Sequence, residues 1–560
     1  MFIWRNYPWT NFNELNLDWI MRILKEVQTE AIPALDEKID NVYEYIRENL
    51  PEIIASITSA VIDVKAAGAT GDGTTDDSDA IHNALAMGDI LYFPEGNYRF
   101  RDIEVNKPVY IIGNHATLTP IHKHPNTNQS HCMFKFYDHT YIQGIIFSHD
   151  NSVVSQSGTK YITEAAVQVY GSECVIFNDC HIRDFFELYR DSVSSVLFED
   201  RQGMFLYTRD CENVTFYNCE FNDFGGQELI WMSQQRGRYA DGFITIDSCQ
   251  FLDRNSGDAG SALNVLGGTL AFSRNQGRNY NNVYTGGTDG GSIFNFLCPY
   301  VNITDNVFTN CYCGNFFDLS EGYYNKVDFA LVANNIFEGN CKQGIRALAK
   351  ELYVRGNTFE GEKMVHTFTC NSTPSSGIPY HVSDATLYEF DVMEITDNTF
   401  VCKKNPFNIV PTTNEMPIFL GQTQDASGSR AVTKQVDIRN NNFMRDSDAI
   451  SFCCIYFYGP IKAAHIVNNV FVGAGESYPL ISGRRALVSG AEIAELLDIS
   501  YNVFDMSEYT DGLLTYVVTG GLSFRTNSVI NEYFNIAFGS NVTSDYQASS
   551  ITEQYNINIS

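Results

Sequence analysis

At 560 residues the chain is too long for one ordinary hydrophobic core, so it is either several domains or a solenoid that grows in one dimension. Its formal charge of −30 excludes the basic footprint of a nucleic-acid binder and adhesion to a bare anionic membrane. No stretch approaches the roughly 20 apolar residues of a membrane span, the start MFIWRNYPWT lacks the basic region and apolar core of a signal peptide, and the 14 cysteines include no CxxC pair of the kind that holds zinc.

Residues 1–30 hold three of the four tryptophans, Trp4, Trp9 and Trp19. Asn13 can cap a helix carrying Leu17, Ile20, Met21, Leu24 and Val27. One reading is a small amphipathic helix packed on its own domain. The other is a docking peptide whose aromatic anchors insert into a partner. The stretch WTNFNELNLDWIMRILKEV resembles segments that open some phage appendage proteins, which implies docking to other virion proteins.

Residues 31–60 carry Ile32, Leu35, Ile39, Val42, Ile46, Ile53 and Ile57 in steps that mostly alternate three and four, with Asn49 interrupting the seam. β-Branched residues at both seam positions favour three strands over two. The segment reads as a trimeric coiled-coil stem, bounded by Pro33 and Pro51, or as a helix packed on the end of the next domain.

Residues 61–100 read as strand, glycine-rich turn, short helix and second strand. Val61, Ile62 and Val64 suit a strand. Gly68, Gly71 and Gly73 supply turn conformations. Asp76, Asp77 and Asp79 sit where a helix dipole favours negative charge. Ala80, Ile81, Ala84 and Leu85 form one apolar helical face, and Phe93-Pro94-Glu95-Gly96 closes the unit before Tyr98 and Phe100 turn inward.

This order resembles the opening of the pectate-lyase-superfamily domain of many phage tail and appendage spikes. The matching residues are Asp63-Val64, Gly68, Gly71-Asp72-Gly73, Thr75-Asp76-Asp77, Ala80-Ile81, Ala84-Leu85, Phe93-Pro94, Gly96 and Tyr98. The resemblance implies a mainly β fold, a right-handed parallel β-helix, with the helical docking and coiled-coil segment at its N-terminus. It also implies a homotrimer. In that family the segment caps the helix and is not catalytic, so its aspartates are read as structural.

From Tyr92 to Phe504 one pattern recurs: two alternating apolar residues, then Asn or Cys, any residue, then Phe. Val301-Asn-Ile303-Thr-Asp-Asn306-Val-Phe308 is an example. The pivots run from Cys180, Cys219 and Cys249 through Asn275 and Asn306 to Asn502. Spacings of about 20–40 residues suit solenoid coils, so residues 61–505 are assigned to the β-helix. Asn at a repeated bend tolerates left-handed backbone, and its amide can bond the next Asn along. Phe308, Phe337, Phe359, Phe400, Phe443, Phe471 and Phe504 are expected to stack inside. The long spacings imply projecting loops at 371–380 and 411–430. Residues 506–560 are expected to form a C-terminal cap or trimerisation region.

Three places could carry chemistry. Four residues after the pivot stand Asp184, Asp223 and Asp253, which stacking would put about 4.8 Å apart. Such carboxylates can serve as acid and nucleophile or base in glycoside hydrolysis; alternatively, aspartate simply suits a strand-ending turn. No resident cofactor or metal is expected, although a divalent cation would relieve the repulsion. The stretch after Asp223 adds Glu228, Trp231, Arg236, Arg238 and Asp241, a candidate subsite for an acidic or phosphorylated sugar. Phe316, Phe317, Asp318, Glu321, Tyr323 and Tyr324 combine aromatic faces with acids, which suits carbohydrate, with core packing expected for one of the two phenylalanines. Neither the polygalacturonase motif succession nor the calcium and arginine set of true pectate lyases is present.

The function expected is a virion appendage, made in the host cytoplasm and acting at the host surface. It would bind and depolymerise a surface polysaccharide or teichoic acid as hydrolase or lyase. A non-catalytic adhesin of the same architecture is the alternative. A free-standing enzyme would leave residues 1–58 without a purpose.

Overall fold

The computed structural model describes the strands and tight turns between Val61 and Ile559. Residues 1–60 and the longer connections, chiefly 122–131, 149–164, 186–203, 223–227, 234–241, 253–260, 280–291, 320–326, 368–389, 403–416, 421–432, 446–453, 473–480 and 506–514, lie outside the described residues. The expected docking helix with Trp4, Trp9 and Trp19, the stem, and the loop 371–380 are therefore not described. The chain divides into two units, Met1–Val61 and Ile62–Ser560, and the architecture below is that of the second.

Its opening forms as the glycine and aspartate spacing predicts. Helix Ser78–Met87 buries Ala80, Ile81, Ala84 and Leu85. Asp77 precedes this helix but does not cap it with its side chain. Its buried carboxylate instead accepts from the N–H and hydroxyl of Thr70, at 2.7 and 2.9 Å. Asp72 accepts the N–H groups of Thr74 and Thr75 at 2.8 and 2.7 Å. Gly71 has φ +62°, and a Cβ there would lie 2.8 Å from the ring of Tyr98. That ring is fully buried and its hydroxyl donates to the Pro94 carbonyl at 2.8 Å. The aspartates of this turn thus organise backbone.

Beyond the cap, strand follows strand in parallel register. Each coil runs through three faces. A strand of sheet C, such as Val167–Tyr170, leads into sheet A, Cys174–Asn178. A tight turn then enters sheet B, His181–Arg183, and a connection of variable length returns to sheet C at Leu206–Arg209. Sheet A pairs residue for residue from coil to coil, Phe177 with Phe216 and Phe216 with Ile246, for example. The fold is a right-handed parallel β-helix. Among the described residues no helix is long and apolar enough to cross a membrane.

The pivots form a continuous buried ladder at the turn between sheets A and B. Asn398 is representative. Its Nδ2 donates to Val354 O at 2.9 Å and to Asn441 Oδ1 at 3.0 Å. Its Oδ1 accepts the backbone N–H and the Nδ2 of Asn357, both at 2.9 Å. The same bonds repeat from Asn275 to Asn535, one rung beyond the last pivot found in the sequence. The left-handed residue is not the pivot but the one before it, as at Asp179, Asn218, Asp305 and Asn440. The reason is geometric: the left-handed residue makes the corner, which frees the pivot side chain to point inward and bond along the axis.

Inside, the predicted phenylalanine stack is present. Phe400, Phe443, Phe471 and Phe504 stack with centroids 5.1, 4.8 and 4.9 Å apart. The cysteine pivots Cys180, Cys219 and Cys249 are buried thiols, and none of the described cysteines forms a disulfide. One expected loop contains regular structure: within 411–430, Ile418–Leu420 is a strand of sheet C, pairing with Val365–Thr367.

Candidate functional site

Sheet C strands share a local pattern in which two inward apolar residues flank one outward residue. Ile230-Trp231-Met232, Leu263-Asn264-Val265, Phe294-Asn295-Phe296, Phe317-Asp318-Leu319 and Ile345-Arg346-Ala347 follow it. The register places these middle residues side by side: Trp231 with Asn264, Asn264 with Asn295, Asn295 with Asp318, and Asp318 with Arg346. Two candidates from separate stretches of sequence, Trp231 and Asp318, thus stand on one outward column. At about 4.8 Å per coil the column spans about 19 Å from Trp231 to Arg346.

Its chemistry changes along its length. Trp231 and Tyr170 pack on a small apolar cluster of Ala165, Met204 and Tyr207. Tyr170 approaches Tyr207 at 5.9 Å and stacks on the exposed Tyr137 at 5.8 Å. Next come the amides, with Asn295 Nδ2 donating at 2.7 Å to Oδ1 of Asn264, which is itself buried, so that Asn295 is the more exposed of the two amides. An ion pair follows, Arg346 Nη1 to Asp318 Oδ2 at 3.6 Å, with side chains 27% and 15% exposed, and the register carries the column on to His366 and Phe419. Aromatic faces, amides and a carboxylate–guanidinium pair in line can stack on the C–H faces of sugars and bond their hydroxyls.

The other candidates fall as follows. Phe316 and Phe317 are both core residues, 1% and 0% exposed, where one was expected to be. Phe316 packs between Phe308 and Phe337, and Phe317 stacks on Phe294. The strands ahead of the aspartate column end level, Arg183 with Asn222 and Asn222 with Leu252. Asp184 itself is left-handed, φ 64°, accepts Ser148 Oγ at 2.9 Å and lies 3.6 Å from Arg183 Nε. Asp223, Asp253, Arg236, Arg238, Asp241, Glu321, Tyr323 and Tyr324 lie outside the described residues. Glu228 begins the strand Glu228–Ser233.

A second outward column, on sheet A, was missed in the sequence. Tyr353, Glu394, Asp437, His465 and Asp498 pair in consecutive coils. Each stands four residues before a pivot, where acidic, aromatic and histidine side chains alternate too irregularly to stand out in the sequence. Their acids are engaged by neighbours: Arg355 donates to Glu394 at 2.8 Å, Arg439 and Gln435 donate to Asp437, and Ser500 donates to Asp498 at 2.9 Å. His465 Nδ1 lies 3.5 Å from Asp498 Oδ2. Burial and the Glu351 carboxylate hold the Tyr353 phenol above its ordinary value. This is the pattern of a structural ion-pair network.

Comparison with known proteins agrees with the geometry. Residues 61–236 match the family model described as rhamnogalacturonase A/epimerase, pectate lyase-like, and residues 165–359 match that of the right-handed β-helix region. Both matches agree with the right-handed β-helix fold described above. No curated protein matches it. Among solved structures, the surface adhesin PfbA of Streptococcus pneumoniae is 14% identical, with 87% of this chain and 91% of that one covered and a TM-score of 0.38. The N-terminal fragment of bacteriophage phi29 gene product 12 is 12% identical, with 89% and 74% covered and a TM-score of 0.42. The Dettilon tailspike protein is 13% identical, with 74% and 66% covered and a TM-score of 0.37. Likenesses at this level leave function to be argued from the chain's own residues.

Proposed function

We propose that the chain is a virion appendage that binds a host-surface polysaccharide or teichoic acid along the outward column of sheet C and depolymerises it. The observation that carries binding is the register that lines up Trp231, Asn264, Asn295, Asp318 and Arg346. A column parallel to the axis suits a linear polymer better than a small ligand. Cleavage needs a second carboxylate besides Asp318, and Glu321, three residues on, is the candidate; Asp184, Asp223, Asp253 and Glu228 form the other. Residues 1–30 would dock to other virion proteins and residues 31–60 would join three copies. The residues that carry the resemblance to phage spikes support this reading.

Binding without cleavage is the second reading. One observation favours it: the Asp318 carboxylate is engaged by the Arg346 guanidinium. Incubation of the full chain with polysaccharide and teichoic-acid fractions of candidate hosts, followed by mass spectrometry, separates the two. Released fragments that vanish in Glu321→Gln place cleavage at the sheet C column. Fragments that vanish in Asp223→Asn place it on the aspartates. Binding with no fragment from any fraction leaves an adhesin.

A further inference from the structure

The corner between sheets A and B carries a second feature, on a different face from the sheet C column. Ten coils put Asp, Asn, Ser, Arg or Gly at its left-handed position, from Asp179 to Asn468. These residues tolerate that backbone or, like Arg274, gain a partner there, since its guanidinium pairs with Asp247. The next two coils break the rule. Tyr501 and Phe534 adopt φ 58° and 54° although a bulky side chain is strained there. They are 55% and 44% exposed, and their rings stack at 5.1 Å and 17°. Strain and exposure together cost stability and fill no core, which points to use by a partner.

The neighbouring rungs indicate its chemistry. Asn468 Nδ2 donates to Asn440 Oδ1 at 2.8 Å, and Asn440 Nδ2 donates to Asp397 Oδ1 at 3.0 Å, all on exposed residues. Each asparagine amide keeps a second N–H, and each Oδ1 a second lone pair, for a ligand. Asn440, Asn468, Tyr501 and Phe534 therefore make a strip with one residue per coil, at a pitch of about 4.8 Å, close to the length of one sugar ring. The strip is uncharged in a chain of net charge −30, which favours a neutral polymer over an anionic one such as teichoic acid.

We propose that this corner strip is a second subsite for a neutral, linear, equatorially linked polysaccharide, with sugar C–H faces on Tyr501 and Phe534 and hydroxyls on Asn440 and Asn468. This rests on the glycan-binding reading and adds to it a separate contact that raises affinity for long chains. The test is affinity electrophoresis of the full chain through gels holding hydroxyethyl cellulose, glucomannan or xylan. The double variant Tyr501→Asn/Phe534→Asn and, separately, Trp231→Ala run alongside. Asparagine suits the left-handed corner and can extend the amide ladder, so the double variant is expected to melt no lower than the parent. Its retardation should fall at least about tenfold while Trp231→Ala loses a separate part. Retardation equal to the parent's overturns the corner subsite and leaves the sheet C column standing. A parent unretarded by all three polymers overturns the subsite as well, while binding of other polymers at sheet C keeps its own test. A change of oligomeric mass in the double variant overturns it too, placing the pair at a contact between subunits.

Discussion

The interior has little tolerance at single positions. Gly277 occupies a rung where its neighbours carry phenylalanine, because the ring of Phe308 fills the space its side chain would need. A Cβ there would stand 2.1 Å from that ring. The ring is held at 5.5 Å from Phe294 and stacks on Phe337 at 6.1 Å, so it cannot retreat. Gly277→Ala is expected to cost about 1–3 kcal/mol by overpacking, read as a lower urea midpoint. Asn398→Ala acts differently. It leaves the buried N–H of Asn357 without its acceptor, while the Asn357 Nδ2 keeps Val332 O and Arg355 O, a loss of about 1–3 kcal/mol for the orphaned donor, to which the space left by the missing amide adds. Asn398→Ala should therefore melt below Gly277→Ala. The ladder was legible because each pivot lies a fixed distance from the strands on either side. The left-handed residue was misplaced by one position because Asn and Asp satisfy both roles in many coils, and only the backbone separates them.

At the scale of the element, the cap is set by carboxylates rather than by apolar packing alone. The N–H groups of Thr75 and Thr74 hold the Asp72 carboxyl well below its ordinary value of 3.8. Lys434 and Lys350 lower that of Asp391. A carboxyl lowered on folding stabilises fully above its unfolded value. That stabilisation is lost as pH falls through the lower folded value. The parent should therefore outlast Asp72→Asn in thermal melts at neutral pH, with the gap closing only below the ordinary carboxylate range. A gap that is unchanged at low pH would mean the turn owes nothing to charge. The cap could be read from its motif because its bonds are local. The sheet C column could not, because the connections leading to each strand differ in length. Trp231 and Asp318 therefore looked like members of separate sites until register joined them, and the apolar–x–apolar triplet around each was the signal available.

Over the whole molecule, the solenoid separates roles by face. The A–B corner carries the ladder, sheet A an ion-pair network, and sheet C the column with aromatic, amide and charged steps. Growth by coils explains how one chain keeps a continuous core at this length, since each coil buries its apolar residues only against its neighbours. If residues 31–60 join three copies, light scattering of the full chain should give three times 63.0 kDa. A chain beginning at Val61 should then give a smaller assembly. An unchanged mass on removal of residues 1–60 would move the subunit contacts into the β-helix.

The most direct test of the account is the affinity of the full chain for host-surface polymer fractions, measured by biolayer interferometry for the parent, Trp231→Ala, Trp231→Phe and Glu394→Gln. Trp231→Ala is expected to weaken binding at least about tenfold, equivalent to about 1.4 kcal/mol. Trp231→Phe should retain most of the affinity, and Glu394→Gln on sheet A should leave it unchanged. Parent-like binding by a folded Trp231→Ala, or its loss in Glu394→Gln, would contradict the assignment of the sheet C column as the polymer-binding face.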